Sequence, residues 1–227
     1  PSFVKDLDIV IEEALEVGVN RMCVTGSDLE ESISAYQLAF SLSDILISTA
    51  GIHPHQAKEF SQNYFSEIKD LLKKENVKAI GETGLDFYRN FSTEEQQKKS
   101  FEMHIETSIE LQKPLFLHVR NAHSTFMEML EPVKEKLPKT VVHCFTGTEE
   151  ELMDYIEMDF YIGITGWICD ERRGVHLKEL INLIPKDKIM IETDAPYLIP
   201  RVSQLKNSQR NEPKFLPHVA KEVAQNS

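Results

Sequence analysis

Val77-Lys-Ala-Ile-Gly-Glu-Thr-Gly-Leu-Asp86 is the stretch whose reading decides the fold. Val77, Ala79 and Ile80 form a short apolar run bounded by polar residues, the pattern of a buried strand. Glu82 follows between Gly81 and Gly84, where the strand is expected to give way to a Gly-rich loop. A buried carboxylate without a partner costs roughly several kcal/mol. A cation or a strong donor is therefore expected beside Glu82.

The same pattern recurs on both sides of this stretch. Towards the N-terminus, Val4, Leu7, Val10, Ile11, Ala14 and Leu15 follow helical spacing until Gly18. Arg21 to Gly26 reads as a strand, and Leu29, Ile33, Tyr36 and Phe40 as a helix. Ile45 to Ile52 is a strand ending in His53-Pro-His55, and Phe65, Ile68, Leu71 and Leu72 form the next helix. Towards the C-terminus, Ser92-Thr-Glu-Glu95 reads as a capping box opening a helix through Phe101, Ile105 and Ile109. Pro114 to His118 is a strand, followed by a helix around Phe126, Met129 and Leu130. Thr140 to His143 is a strand, and Thr148 caps a helix through Leu152, Tyr155 and Ile156. Phe160 to Gly166 is a strand, Leu177 to Ile184 a helix and Lys188 to Asp194 the last strand. A final helix runs from about Pro213 to Gln225.

Strict alternation of this kind, with strands apolar on both faces, predicts a parallel sheet covered by helices. Seven strands are visible and the chain starts on a helix, so a TIM (β/α)8 barrel of the metal-dependent hydrolase type is expected. Its first strand would lie before Pro1. On that reading residues 1–227 are a single catalytic domain trimmed at both ends. An open doubly wound sheet is the alternative. It more often shows a GxGxxG turn after the first strand, and the sequence contains none.

Of the 227 residues, 41% are hydrophobic and 27% charged, which fits a globular core and excludes disorder. A net charge of -12 excludes non-specific coating of nucleic acid but leaves room for a metal and a few arginines to hold phosphate. Cys23, Cys144 and Cys169 form an odd, widely spaced set that points to a reducing compartment, here the cytoplasm. No apolar run approaches the ~18 residues of a membrane helix, so no membrane partner is expected. With Pro1 rather than Met first, a targeting segment upstream stays open.

In a barrel, active sites lie at the C-terminal ends of the strands. Here those ends carry His53 and His55, Glu82, His118 with Arg120 two residues on, His143, and Asp194. Imidazole nitrogens and carboxylate oxygens suit zinc, manganese or iron, and carboxylates suit magnesium. Taken alone, each has a plainer reading: a histidine ending an apolar strand is usually hydrogen-bonded, and Asp194 before Ala195-Pro196 can cap a turn. Four strands ending in Glu82, His118, His143 and Asp194 point instead to a shared metal site. Arg120 could grip a phosphate oxygen bidentately. Among the rest, His104 reads as solvated between Glu102 and Glu106, His123 as opening a helix, and His176 and His218 as surface residues near helix starts. Cys144 reads as packing. Arg172, Arg173, Arg201, Lys206 and Arg210 read as exposed charges. Trp167 and Phe87 or Tyr88 are candidate platforms for bases.

The blocks Gly51-Ile-His-Pro-His55, Ile80-Gly-Glu-Thr-Gly-Leu-Asp86, Leu117-His-Val-Arg120, Val142-His-Cys-Phe-Thr-Gly147, Tyr161-Ile-Gly-Ile-Thr-Gly166 and Ile191-Glu-Thr-Asp-Ala-Pro-Tyr197 resemble the TatD family of metal-dependent deoxyribonucleases. The resemblance implies a TIM-barrel metallohydrolase with Glu82, His118 and His143 as metal ligands and Asp194 as the further carboxylate. His53 and His55 match the family's pair near the substrate. It also implies a Mg2+-dependent 3′–5′ exonuclease that prefers single-stranded DNA and serves DNA repair; RNA is a further expected substrate, Mn2+ or Zn2+ are alternative ions by ligand chemistry, and a monomer is expected. The His-x-His pair that many members carry on their first strand has no counterpart here, so the number of metal ions stays open. A hydrolase of amides, lactones or deaminable bases on the same barrel is the competing activity. The third possibility, a barrel that binds without catalysis, has no need of a ligand set.

Overall fold

The computed structural model describes residues 2–227. Along the chain run helix α1 (Leu7–Glu16), strand β1 (Met22–Val24), α2 (Leu29–Ser41), β2 (Leu46–Ala50), α3 (Gln62–Leu72), β3 (Val77–Asp86), α4 (Glu94–Leu111) and β4 (Leu115–Arg120). They are followed by α5 (His123–Leu130), β5 (Thr140–Val142), α6 (Glu149–Glu157), β6 (Tyr161–Ile164), α7 (Val175–Leu180), β7 (Ile189–Ile191) and α8 (Leu216–Asn226). The expected alternation is present throughout. The chain divides into two compact units. One holds Arg21–Val142 and Met158–Phe160; the other holds residues 2–20, His143–Glu157 and Tyr161–Ser227.

In the first unit, β1 to β5 pair in chain order, every pair parallel. Ile68, Leu72, Ile80, Leu85, Leu115 and Leu117 are fully buried, and Phe101 stacks on Phe126 with ring centroids 5.3 Å apart. Each such side chain contributes about 1.5–3 kcal/mol by leaving water. The expectation that the central strand stops at Glu82 is corrected: β3 runs on to Asp86, pairing Gly84 with His118 and Asp86 with Arg120. Its register shifts between Ile80 and Thr83, so Glu82 sits in an irregularity inside the strand. The glycines are there for close approach, not as loop signals. A Cβ on Gly81 would lie 2.2 Å from the Phe116 carbonyl oxygen, and one on Gly84 2.0 Å from that of His118. Both have positive φ, +145° and +136°, which glycine alone adopts freely.

Another expectation shifts by one residue. The capping box of α4 is built by Thr93 and Gln96, not by Ser92 and Glu95. The Ser92 hydroxyl instead donates to the His55 carbonyl and accepts from Lys58 N. The Thr148–Glu151 box is as expected.

In the second unit, β6 and β7 pair in parallel, Ile162 opposite Ile189 and Ile164 opposite Ile191. Ile162, Ile164, Leu177, Ile181 and Val219 form its buried core. Met190 and Ile191 are exposed where the apolar run predicts burial. Strand β7 is the last in its sheet, so its side chains have a strand neighbour on one side only. Among the described residues no helix is long and apolar enough to cross a membrane.

Candidate metal centre

In the first unit, the turn after β2 and the C-terminal halves of β3 and β4 bring His53, Glu82 and His118 together. One ligand atom from each lies within 4.8 Å of the others. His53 Nε2 is 3.3 Å from Glu82 Oε1, and His118 Nδ1 is 3.0 Å from the same oxygen. The chain turns sharply after β2 because His53 caps the short 3-10 turn Pro54–Glu59: its Nδ1 accepts the His55 N–H at 3.0 Å. That bond fixes the tautomer, since a neutral ring accepting at Nδ1 carries its proton on Nε2. Burial lowers the His53 pKa against the opposing pull of Glu82, so the ring stays neutral at pH 7.

Asp86 completes this cluster, and it was missed as a site residue in the sequence. It is fully buried. Its Oδ2 lies 2.7 Å from His55 Nε2 and 3.4 Å from His118 Nε2. Its Oδ1 accepts from Tyr88 N and Arg89 N, both at 2.9 Å. Burial alone would raise its pKa, but the bonds from His118, Arg89 N and His55 outweigh that and hold the carboxyl well below its usual range. Gln97 clamps the same backbone, accepting from Asp86 N at 2.8 Å and donating to Asp86 O at 3.0 Å. The signal was available: with period two along a strand, Glu82, Gly84 and Asp86 share a face. Reading the glycines as a loop hid it.

In the second unit, His143 Nδ1 is 3.6 Å from Glu192 Oε2. That oxygen also accepts from Cys144 N at 2.9 Å. Glu192 Oε1 is buried with no hydrogen-bond partner, and a Cβ on Gly163 would lie 2.4 Å from it. Glu192 is a second carboxylate missed in the sequence, hidden by the more conspicuous Asp194 two residues on. Asp194 follows β7 in a left-handed conformation, φ 55°, and its carbonyl accepts from Tyr197 N at 2.9 Å. Cys144 is left-handed too, φ 48°, and lies past the end of β5 rather than in it. Burial raises its thiol pKa to about 12, with a further upward push from Asp194 and Glu192, so it is an inert packing residue.

The first unit thus unites His53, His55, Glu82 and His118, while His143 and Asp194 belong with Glu192 in the second. Arg120 ends β4 with its guanidinium carbon 4.0 Å from the Tyr88 ring centroid, so both are engaged with each other. The solvated reading of His104 is overturned. It is wholly buried, its Nε2 accepts the Ile52 N–H at 3.0 Å and its Nδ1 meets the Ser100 carbonyl at 2.7 Å. Both neighbouring glutamates lie on other faces of α4, which a residue-by-residue polarity reading does not register. His123 opens α5 as expected. Arg201 and Arg210 are less free than expected: Arg201 pairs with Asp170 at 3.0 Å, and Arg210 pairs with Asp6 and Glu212.

The first-unit cluster suits a cation. Glu82 and Asp86 present two carboxylates, one fully buried, to a group of imidazoles. Buried negative charge of this density is stable only with a compensating positive charge. Carboxylate oxygen with imidazole nitrogen is the donor set of divalent metal sites.

Parallel strands alternating with helices, with such a cluster at the strands' C-terminal ends, define the class of metal-dependent TIM-barrel hydrolases. The family model described as "TatD related DNase" matches residues 1–227. Over 223 residues the chain is 48% identical to the 3'-5' ssDNA/RNA exonuclease TatD of Escherichia coli K12, covering 98% of this chain and 85% of that one. The protein of the same name from Citrobacter rodentium is 49% identical over 223 residues, 98% of this chain and 84% of that one. Among solved structures, a TatD homologue from Escherichia coli K12 superposes with a TM-score of 0.91 at 24% identity, over 100% of this chain and 86% of that one. A TatD-family hydrolase from Entamoeba histolytica gives 0.84 at 27% identity, over 97% and 82%. The chain belongs to the TatD-related DNase family, and its fold is that family's TIM barrel.

Proposed function

We propose that this protein is a metal-dependent exonuclease that removes nucleotides from the 3′ end of single-stranded DNA or RNA. The observation that carries the reading is the carboxylate–imidazole cluster of His53, Glu82 and His118. The name borne by relatives sharing about half of its residues, 3'-5' ssDNA/RNA exonuclease, supports the substrate class. Mg2+ is the proposed ion, with Mn2+ or Zn2+ able to replace it. Residues 1–227 are proposed to act as one catalytic domain, as a cytoplasmic monomer serving DNA repair. Amide or lactone hydrolysis on this barrel is not favoured, because relatives at this identity carry a nuclease name.

Glu82 and His118 in the first unit, and His143 and Asp194 in the second, are each proposed as metal ligands. A divalent ion bound there supplies positive charge for the phosphoryl oxygens and makes water more acidic. Asp194 orients the attacking water or takes its proton. His53 plays a different part from Glu82 and His118. Its tautomer directs an N–H from Nε2 into the site, so it donates to a phosphate oxygen or to the leaving 3′-oxygen. Asp86 holds His55 and His118 in place, as carboxylates behind imidazole ligands do. Arg120, already oriented by Tyr88, grips a non-bridging oxygen.

Single strands labelled at one end or the other provide the test. Label should leave first from the 3′ end as mononucleotides, only with divalent metal present. Internal cuts appearing from the start would overturn the polarity, and cleavage of amides without phosphodiesters would overturn the reaction class.

A further inference from the structure

We propose that a groove of about 830 Å3 in the second unit binds the single strand, one base stacking on Trp167 and the backbone phosphates meeting Arg201 and Lys206. This assignment rests on the nuclease reading and gives it a substrate-binding surface. One wall is the turn after β6, Gly166 to Arg172; the other is the segment after β7, Pro196 to Ser208. Both walls follow the C-terminal ends of their strands, as does Asp194.

The groove is built. Gly166 packs so closely on the facing wall that a Cβ there would lie 2.3 Å from the Leu198 carbonyl oxygen. Asp170, only 2% exposed, ties the walls together. Its Oδ1 accepts from Arg172 N at 2.9 Å and Arg173 N at 3.3 Å, while its Oδ2 lies 3.0 Å from Arg201 Nε. The Asp170 charge is thereby matched from within, and the other acidic lining residue, Glu171, is set against Arg172, Arg201 and Lys206. Arg201 is held by its Nε edge and is still half exposed. Among the described residues nothing beyond this ion pair engages it, so the outer donors of its guanidinium face solvent.

Charge and shape both favour a polyanion with flat rings. In a chain of net charge -12, the stretch Tyr197 to Ser208 carries Arg201 and Lys206 and no acidic residue. Trp167 lines the groove with the Arg173 guanidinium 5.5 Å from its ring centroid. Tyr197, between two lining residues, is 69% exposed. A cationic track beside an aromatic face is how single strands are held without regard to sequence. A double strand offers no unstacked base to such a face.

Trp167 is the only tryptophan in the chain, so its fluorescence reports on this groove alone. Titrating metal-stripped protein with a short oligothymidylate should quench that fluorescence, with the same midpoint as anisotropy of a labelled strand. Trp167→Ala and Arg201→Gln should each raise KM for the oligonucleotide by roughly 5- to 100-fold, as loss of one stacked base or phosphate contact does. Neither should change kcat, or turnover of bis(p-nitrophenyl) phosphate, a single phosphodiester with no flanking phosphates for a strand-binding groove to hold. Trp167→Phe should recover most of the loss. Binding by anisotropy without quenching, or unchanged KM in both variants, would overturn the groove while leaving the nuclease reading intact. A wild-type protein that cleaves no phosphodiester would overturn both.

Discussion

Replacing His104 with leucine keeps the side chain's size roughly constant and removes one acceptor from the interior of the first unit. The Ile52 N–H, which donates to His104 Nε2 at 3.0 Å next to the His53 turn, is left without a partner. An orphaned buried donor costs about 1–3 kcal/mol, and that loss is expected at pH 7. The pH dependence carries the sharper signature. Burial lowers the His104 pKa from 6.5 to about 4, against the opposing hydrogen bond to Ser100. The fold therefore holds the neutral ring, and its contribution is complete above pH 6.5 and lost as pH falls towards 4. At about 1.4 kcal/mol per unit, the wild type gives up about 3 kcal/mol across that window and the leucine variant does not. Urea unfolding of both proteins at a series of pH values, followed by far-ultraviolet circular dichroism, isolates this difference because all other groups titrate in both. The gap in stability should shrink from pH 7 to pH 4 and close or reverse. A gap that stays constant would show that His104 is not a buried neutral acceptor.

Other substitutions probe the rest of the site. Gly163→Ala should force the Glu192 carboxylate off Cys144 N and away from His143, a proposed ligand; the expected result is a loss of about 1–3 kcal/mol by overpacking together with a fall in kcat as His143 shifts, and normal kcat would show that Glu192 does not position His143. Asp86→Asn should weaken metal binding by about 10- to 100-fold, as loss of a carboxylate behind a ligand does; calorimetry showing unchanged affinity would reduce Asp86 to a structural residue. Arg120→Lys keeps the charge and loses the planar fork, so KM should rise or kcat fall on single strands, and unchanged kinetics would remove Arg120 from the site.

Much of this fold is legible in the sequence because its strands are short apolar runs separated by helices of clear period, as in Ile45 to Ile52 and Pro114 to His118. The residues at the strand ends are equally visible, since His53, His55 and His118 interrupt apolar runs. What stayed hidden depended on pairing between strands. Gly81 and Gly84 read as a loop until β4 is placed against them, when each proves to be the only residue that fits, and Asp86 then falls inside the strand. Glu192 becomes meaningful only once Gly163 of β6 lies opposite. His104 is the same lesson for a helix: its polarity says surface, whereas its bonds to Ile52 and Ser100 place it in the core.

The most direct test of the central claim is calorimetric titration of Mg2+ and Mn2+ into wild type and Glu82→Gln, paired with thermal unfolding with and without metal. The wild type should bind and gain about 2.7 kcal/mol at a hundred times Kd. The variant, unchanged in its metal-free unfolding, should neither bind at those concentrations nor gain stability. Equal binding and equal stabilisation in the two proteins would contradict a metal centre built on Glu82.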